Sequence, residues 1–289
     1  MIWVSWRQVR STALVLAVVS AALAAHLLLA GMNARDAFRT SGIVHCLGAA
    51  QSAQNTPCLT AAVDFSRMIN TTRAGGGGAF ILYLNLIPAL LGAFLGAPLL
   101  TREFEQGTHR MAWTQSVTRR RWMTSRLAAT GAAVVATELV LSLAITFARA
   151  PIDRLNGRFT PDSFNFEGIA PLGYAVLAFI LGVTAGAVIR RTVPAIAVTL
   201  AAFLTIKLSI QAWLRPHYLP QRMITFAELP PTNAPDGSRG DWILNAGAHS
   251  ITYQPAARFW TFQLIELTIY LALAAALLAL TVRLVQRRV

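Results

Sequence analysis

Six stretches of the chain stay apolar for about the thickness of a bilayer: residues 12–32, 79–100, 127–147, 170–189, 193–213 and 259–282. A spanning helix needs roughly 20 mostly apolar residues, because lipid offers no partner to an unbonded peptide group. Charged residues make up 13% of the chain, about half of the ~25% usual in a soluble domain. These observations set a soluble enzyme aside. The expected fold class is an all-α integral membrane protein of six transmembrane helices, with residues 1–289 as a single transmembrane domain.

Arg7 and Arg10 precede the first run, which ends near small residues, the outline of a secretion signal. A cleaved signal has an apolar region of about 7–15 residues. This run is longer and opens a chain with five more, so it reads as a retained first helix. Arginine placement gives the direction. With the N-terminus inside, segments 1–10, 101–126, 190–192 and 283–289 hold 13 Arg in 46 residues, and segments 33–77, 148–169 and 214–258 hold 11 in 112. Cytoplasmic segments are enriched in basic residues, so both termini are expected in the cytoplasm of a multi-pass cell-membrane protein. The net charge of +13 then reflects topology and contact with anionic membrane lipids. No nucleic-acid partner is needed to explain it.

The basic residues are 24 Arg and one Lys, Lys207. A phosphate-binding loop reads G-x-x-x-x-G-K-[ST], so that its lysine reaches the phosphates. Lys207 sits in Phe203-Leu-Thr-Ile-Lys-Leu-Ser209 with no glycine loop before it. The patterns H-E-x-x-H, G-x-S-x-G and C-x-x-C are missing as well, which removes common zinc, hydrolase and redox chemistries. The chain is expected to carry no catalytic residue, metal or cofactor. Any ATP-driven work would use ATP and Mg in another subunit.

Two of the outer segments, 33–77 and 214–258, are 45 residues long, well beyond an ordinary connection of about 4–6 residues. The first holds Cys46 and Cys58, the only cysteines. An even pair in an oxidising compartment reads as a disulfide; two free thiols, or a weak metal site with His45, are the alternatives. Gly75-Gly-Gly-Gly78 reads as a flexible joint, and Asn70-Thr71-Thr72 is a weak glycosylation signal. The last outer segment is rich in Pro and holds Trp213, Tyr218, Phe226, Trp242 and Tyr253. Trp and Tyr favour the membrane interface, so short helices lying partly against the outer leaflet are expected there.

The longest inner segment is Thr101-Arg-Glu-Phe-Glu-Gln-Gly-Thr-His-Arg-Met-Ala-Trp-Thr-Gln-Ser-Val-Thr-Arg-Arg-Arg-Trp122. Thr108 can cap a short helix that carries Met111 and Trp113. Exposed Phe104, Met111 and Trp113 call for a partner, since aromatic and Met side chains anchor interfaces. Glu103 and Glu105 are the only acids on an otherwise basic inner face, which favours a docking surface with complementary charge.

The segment Glu103-Phe-Glu-Gln-Gly-Thr108, followed by Trp113-Thr-Gln-Ser-Val-Thr-Arg-Arg-Arg-Trp122, resembles the loop after the second span in permeases of type 2 ABC exporters, especially actinobacterial ones. Trp6-Arg-Gln8, Arg215-Pro-His-Tyr-Leu-Pro220 and Tyr253-Gln-Pro-Ala-Ala-Arg-Phe-Trp260 add to the likeness, which covers essentially the whole chain. The resemblance implies a six-span subunit that pairs with a second permease copy, identical or not, and with two ABC ATPase subunits. It implies that the inner loop is a coupling helix, with Glu103, Glu105, Gly107 and Thr108 making the contact. It also implies that Trp3, Trp6 and Arg7 lie on an amphipathic helix along the inner surface, beside the ATPase. The substrates it suggests are drugs, antibiotics or other amphipathic compounds.

Glu138, Lys207 and Glu266 are three ionisable residues inside the apolar runs. Such residues usually face the bundle interior and have partners. Lys207 lies six residues from the outer end of run five and Glu266 seven from that of run six, so both are roughly 10 Å deep at 1.5 Å per residue. The pair is expected to lock spans five and six together. Glu138, near mid-membrane, has no sequence-evident partner; it either lines a route across the membrane or makes a structural hydrogen bond. Two other classes remain to weigh: an ion-coupled secondary transporter, which often shows internal repeats not evident here, and a membrane sensor or immunity protein.

Overall fold

The computed structural model describes residues 2–43, 56–71, 78–106, 119–161, 163–225, 240–247 and 249–288. Its helices are α1 (Ile2–Thr40), α2 (Thr56–Thr71), α3 (Gly78–Leu91), α4 (Ala97–Gln106), α5 (Arg119–Asn156), α6 (Ala170–Ile189), α7 (Thr192–Ser209) and α8 (Phe259–Arg288). Six helical stretches are long and apolar enough to cross a membrane: Leu14–Thr40, Leu84–Thr101, Thr124–Arg154, Ala170–Ile189, Thr192–His217 and Ala256–Leu284. They coincide with the six runs, and the protein is an all-α integral membrane protein in architecture. Six crossings bring the chain back to the side where it began. That side is the terminal face, and the opposite side the far face.

Span four sits at the centre. Two thirds of spans two and four are buried (67% each), against 28, 22 and 22% of spans one, five and six, whose outer sides are left to lipid or another chain. The reason lies in small residues. Span two widens into a π-helical turn at Gly92–Gly96 between α3 and α4, and its glycines lie against span four. A side chain at Gly92 would strike the Ala178 backbone, and one at Gly186 would come within 2.6 Å of the Ala97 carbonyl. Lipid-embedded helices gain little from apolar burial against each other, so close backbone approach through small residues is what joins them.

Helix α1 runs 39 residues without a break, about 58 Å at 1.5 Å per residue, beyond the ~30 Å hydrocarbon layer. Trp3, Trp6 and Arg7 therefore belong to the same helix as span one. Past the membrane the helix stays tied to span three: Arg35 lies 3.4 Å over the Phe147 ring and donates to the Phe147 carbonyl at 2.9 Å. The segment after it is partly helical. Phe65 of α2 meets Phe38 of α1 edge-on at 5.3 Å, beside Ile43 and a buried, disulfide-bonded Cys58. Cys46, Gly75–Gly77 and Thr72 lie outside the described residues.

The last far-face segment corrects the expectation of short helices. Strands β1 (Arg222–Thr225), β2 (Trp242–Ala246) and β3 (Ser250–Gln254) form an antiparallel sheet in the order β1-β3-β2. Trp242 turns inward rather than toward lipid, meeting Phe159, Phe164 and Phe262 at ring distances of 5.6, 6.4 and 6.2 Å. Burying that ring decides the conformation: alternation along a strand sends Trp242 to the core and leaves Ile243 exposed. Gly240, at φ +86°, lets the chain pass close to Gly157: a Cβ built at Gly240 would lie 2.8 Å from the Gly157 Cα. Trp213, at the far end of span five, is 81% exposed.

Candidate functional site

Span five does not end with its regular helix. After α7 it continues through a π-helical turn, Ile210–Leu214, and a short 3-10 turn, Arg215–His217. This brings Arg215 into the interior, fully buried. Its Nε donates to Glu266 Oε2 at 2.8 Å and its Nη2 to Glu266 Oε1 at 2.5 Å. Nη2 also reaches Asn165 Oδ1 at 2.9 Å and the Tyr174 hydroxyl at 3.1 Å. Tyr174 in turn donates to Glu266 Oε1 at 2.6 Å, and the Phe164 ring covers the guanidinium at 4.6 Å. Spans four, five and six and the loop before span four are thus joined around one buried ion pair.

The expected Lys207–Glu266 ion pair is not made. A guanidinium presents two parallel N–H groups that match both carboxylate oxygens, which a single ammonium cannot do, and Arg215 takes that place. Lys207 instead donates to Asn85 of α3, at 3.0 Å to Oδ1 and 3.3 Å to the backbone carbonyl, and lies 4.7 Å over the Tyr174 ring. Glu266 is locked to span five as anticipated, through a residue counted with the outer segment. Tyr218, just past span five, adds a bond to Glu266 Oε2 at 3.3 Å. Burial, and then the Glu266 carboxylate beside it, push the Tyr218 phenol up from its ordinary value, so it remains a donor.

A second network lies closer to the far face. Fully buried Glu167 accepts from Arg149 Nε at 2.9 Å and from Arg158 Nε at 3.1 Å. Gln263 of α8 connects the two. Its Oε1 accepts from the Ile169 and Ala170 N–H groups at 3.0 and 2.7 Å, and its Nε2 donates to the Phe164 and Glu167 carbonyls at 3.2 and 2.9 Å. The first N–H groups of a helix have no partner within it, and Ile169 supplies no side-chain cap. Gln263 does so from another helix.

Toward the terminal face, Glu103, Phe104 and Glu105 lie at the end of α4. Gly107, Thr108, Met111 and Trp113 lie outside the described residues. Helix α4 is fixed to its neighbours: the Thr101 and Thr192 hydroxyls meet at 2.9 Å, joining spans two and five. Glu138 lies within span three, nearly buried, and is not part of the Arg215 network. Among the described residues no group of His, Cys, Asp and Glu fit to hold a metal occurs.

Sequence reasoning found Glu266 and Lys207 because charges in apolar runs stand out. It missed Arg215, Tyr174, Asn165, Glu167 and Gln263. One signal was available: Arg215 lies two residues past the apolar end of run five, close enough for its long side chain to turn back toward the bundle.

A family model described as ABC-2 membrane transporter related matches residues 17–215, from the first span to Arg215. No curated protein and no solved structure matches the chain.

Proposed function

The chain belongs to the ABC-2 membrane transporter related family, and from that premise we propose that it is the permease subunit of an ATP-driven exporter. In this reading two such permeases form a pathway between them, and two separate ATPase subunits bind ATP and Mg. The terminal face is cytoplasmic, and the cargo is a drug, an antibiotic or another amphipathic compound.

The observation that carries the reading is the family match over a bundle of six apolar spans. Its single lysine is buried against Asn85, out of reach of any phosphate. The grip of the motor is assigned to the segment from Glu103 to Trp113, with Trp6 and Arg7 beside it. Force applied there enters α4, and α4 touches span four at Gly186 and span five through Thr192. Movement would then spread by direct contact, giving each state of the motor its own contacts in the membrane, as coupling requires.

The test is co-purification with a candidate ABC ATPase and stimulation of its ATP hydrolysis by amphipathic compounds. Glu105→Arg is expected to weaken both about tenfold or more, since one misplaced interface charge is worth at least ~1.4 kcal/mol. Unchanged values would remove the loop from the coupling role. Transport by the chain without any ATPase would favour an ion-coupled carrier.

A further inference from the structure

Glu138 lies fourteen residues after Thr124 and sixteen before Arg154, the ends of span three, and so near mid-membrane. Its side chain is 5% exposed, and Oε2 is buried with no hydrogen-bond partner. Span five offers Lys207, within electrostatic reach of Glu138, yet its ammonium is turned to Asn85 of span two and to the Tyr174 ring of span four. In span six, the Glu266 carboxylate is taken up by Arg215 of span five and Tyr174. The titratable residue of span one at membrane depth, His26, is exposed on the outside of the bundle. A carboxylate oxygen left unmet at this depth is far costlier than a neutral acid. A metal ion or an organic cation would need room and further ligands. A proton needs neither.

We propose that Glu138 is a proton-binding site in the bundle interior, its Oε2 carrying a hydrogen in the arrangement seen here. The hydrogen is taken from water and returned to water, and no other atom is exchanged. Span three therefore presents span five with a neutral acid. Loss of the proton would place a carboxylate near Lys207 and compete with Asn85 for the ammonium, so the attachment of span five to span two depends on proton occupancy. This inference does not rest on the transport reading.

A hydrophobic carbodiimide tests it, on the full chain in liposomes. The carboxyl proton passes to a carbodiimide nitrogen, the oxygen adds to the central carbon, and acyl transfer to nitrogen leaves a stable N-acylurea that mass spectrometry locates. The expected result is an adduct at Glu138 with the hydrophobic reagent and none with a water-soluble one. No adduct with the hydrophobic reagent overturns the proposal, and so does equal reaction with both. In folded Lys207→Met the labelling rate should rise, because a nearby cation favours the carboxylate; a rate unchanged or lower also overturns it. The wild-type arm needs no variant and decides the matter if Lys207→Met does not fold.

Discussion

Near the far face, Arg215, Glu266, Tyr174 and Asn165 meet in a buried network of directed bonds, whereas toward the terminal face the same spans touch through glycines, alanines and two pairs of threonine hydroxyls. The far half depends on geometry: a guanidinium and a carboxylate either meet on both oxygens or leave two charges stranded in a dry interior. The terminal half depends on shape, with dispersion contacts between backbones that come close because nothing stands between them. A network of the first kind holds one arrangement firmly. Packing of the second kind lets helices shift against each other by small steps, and it lies on the side where the proposed motor would push.

Breaking the ionic half should have the largest effect. Arg215→Met strands a buried Glu266 and is expected to cost about 3–5 kcal/mol, read as loss of the folded peak in detergent. Arg215→Met with Glu266→Leu should recover much of that, because a buried pair replaced by apolar residues is often close to neutral. A double variant no better than the worse single one would mean that the network holds the bundle in some other way.

Next comes the shape-dependent half. Gly182→Leu drives a side chain into the Gly92 and Ala97 backbone, and overpacking of this kind costs about 1–3 kcal/mol or more, measured as a fall in melting temperature. Equal stability would show that spans two and four yield there without strain, and would blur the contrast. The smallest effect is expected for Thr101→Val, which removes the hydroxyl contact with Thr192. Hydrogen bonds between membrane helices average about 0.6 kcal/mol, so thermal unfolding should barely change, while coupling to the proposed ATPase partner is the sensitive readout.

Much of the architecture was legible in advance because lipid imposes it. A helix that must cross the hydrocarbon layer has to be long and apolar, and no other explanation for six such runs is available to a chain this poor in charge. The extension of α1 to Thr40 was not legible: Asn33, Arg35, Asp36 and Arg39 look like loop, and it is contact with Phe147 that helps keep the far end of the helix in place. Nor was the sheet, whose strands of four and five residues lie in a Pro-rich segment and owe their form to the burial of Trp242.

In the candidate site the sequence identified Glu266 and Lys207 as buried charges but neither Arg215 nor Glu167, nor whom any of the four would meet. Glu266 and Lys207 stood out because an ion at that depth is costly wherever its helix turns. Their partners depended on how spans five and six rotate and on the extra π-helical turn that draws Arg215 inward, and neither has a local signature. The capping of span four by Gln263, ninety-four residues from the N–H it serves at Ile169, is a property of two helices meeting. Length, polarity and charge count are local quantities, and they alone determined the spans; pairing is a matter of relative position, which only the packed bundle decided.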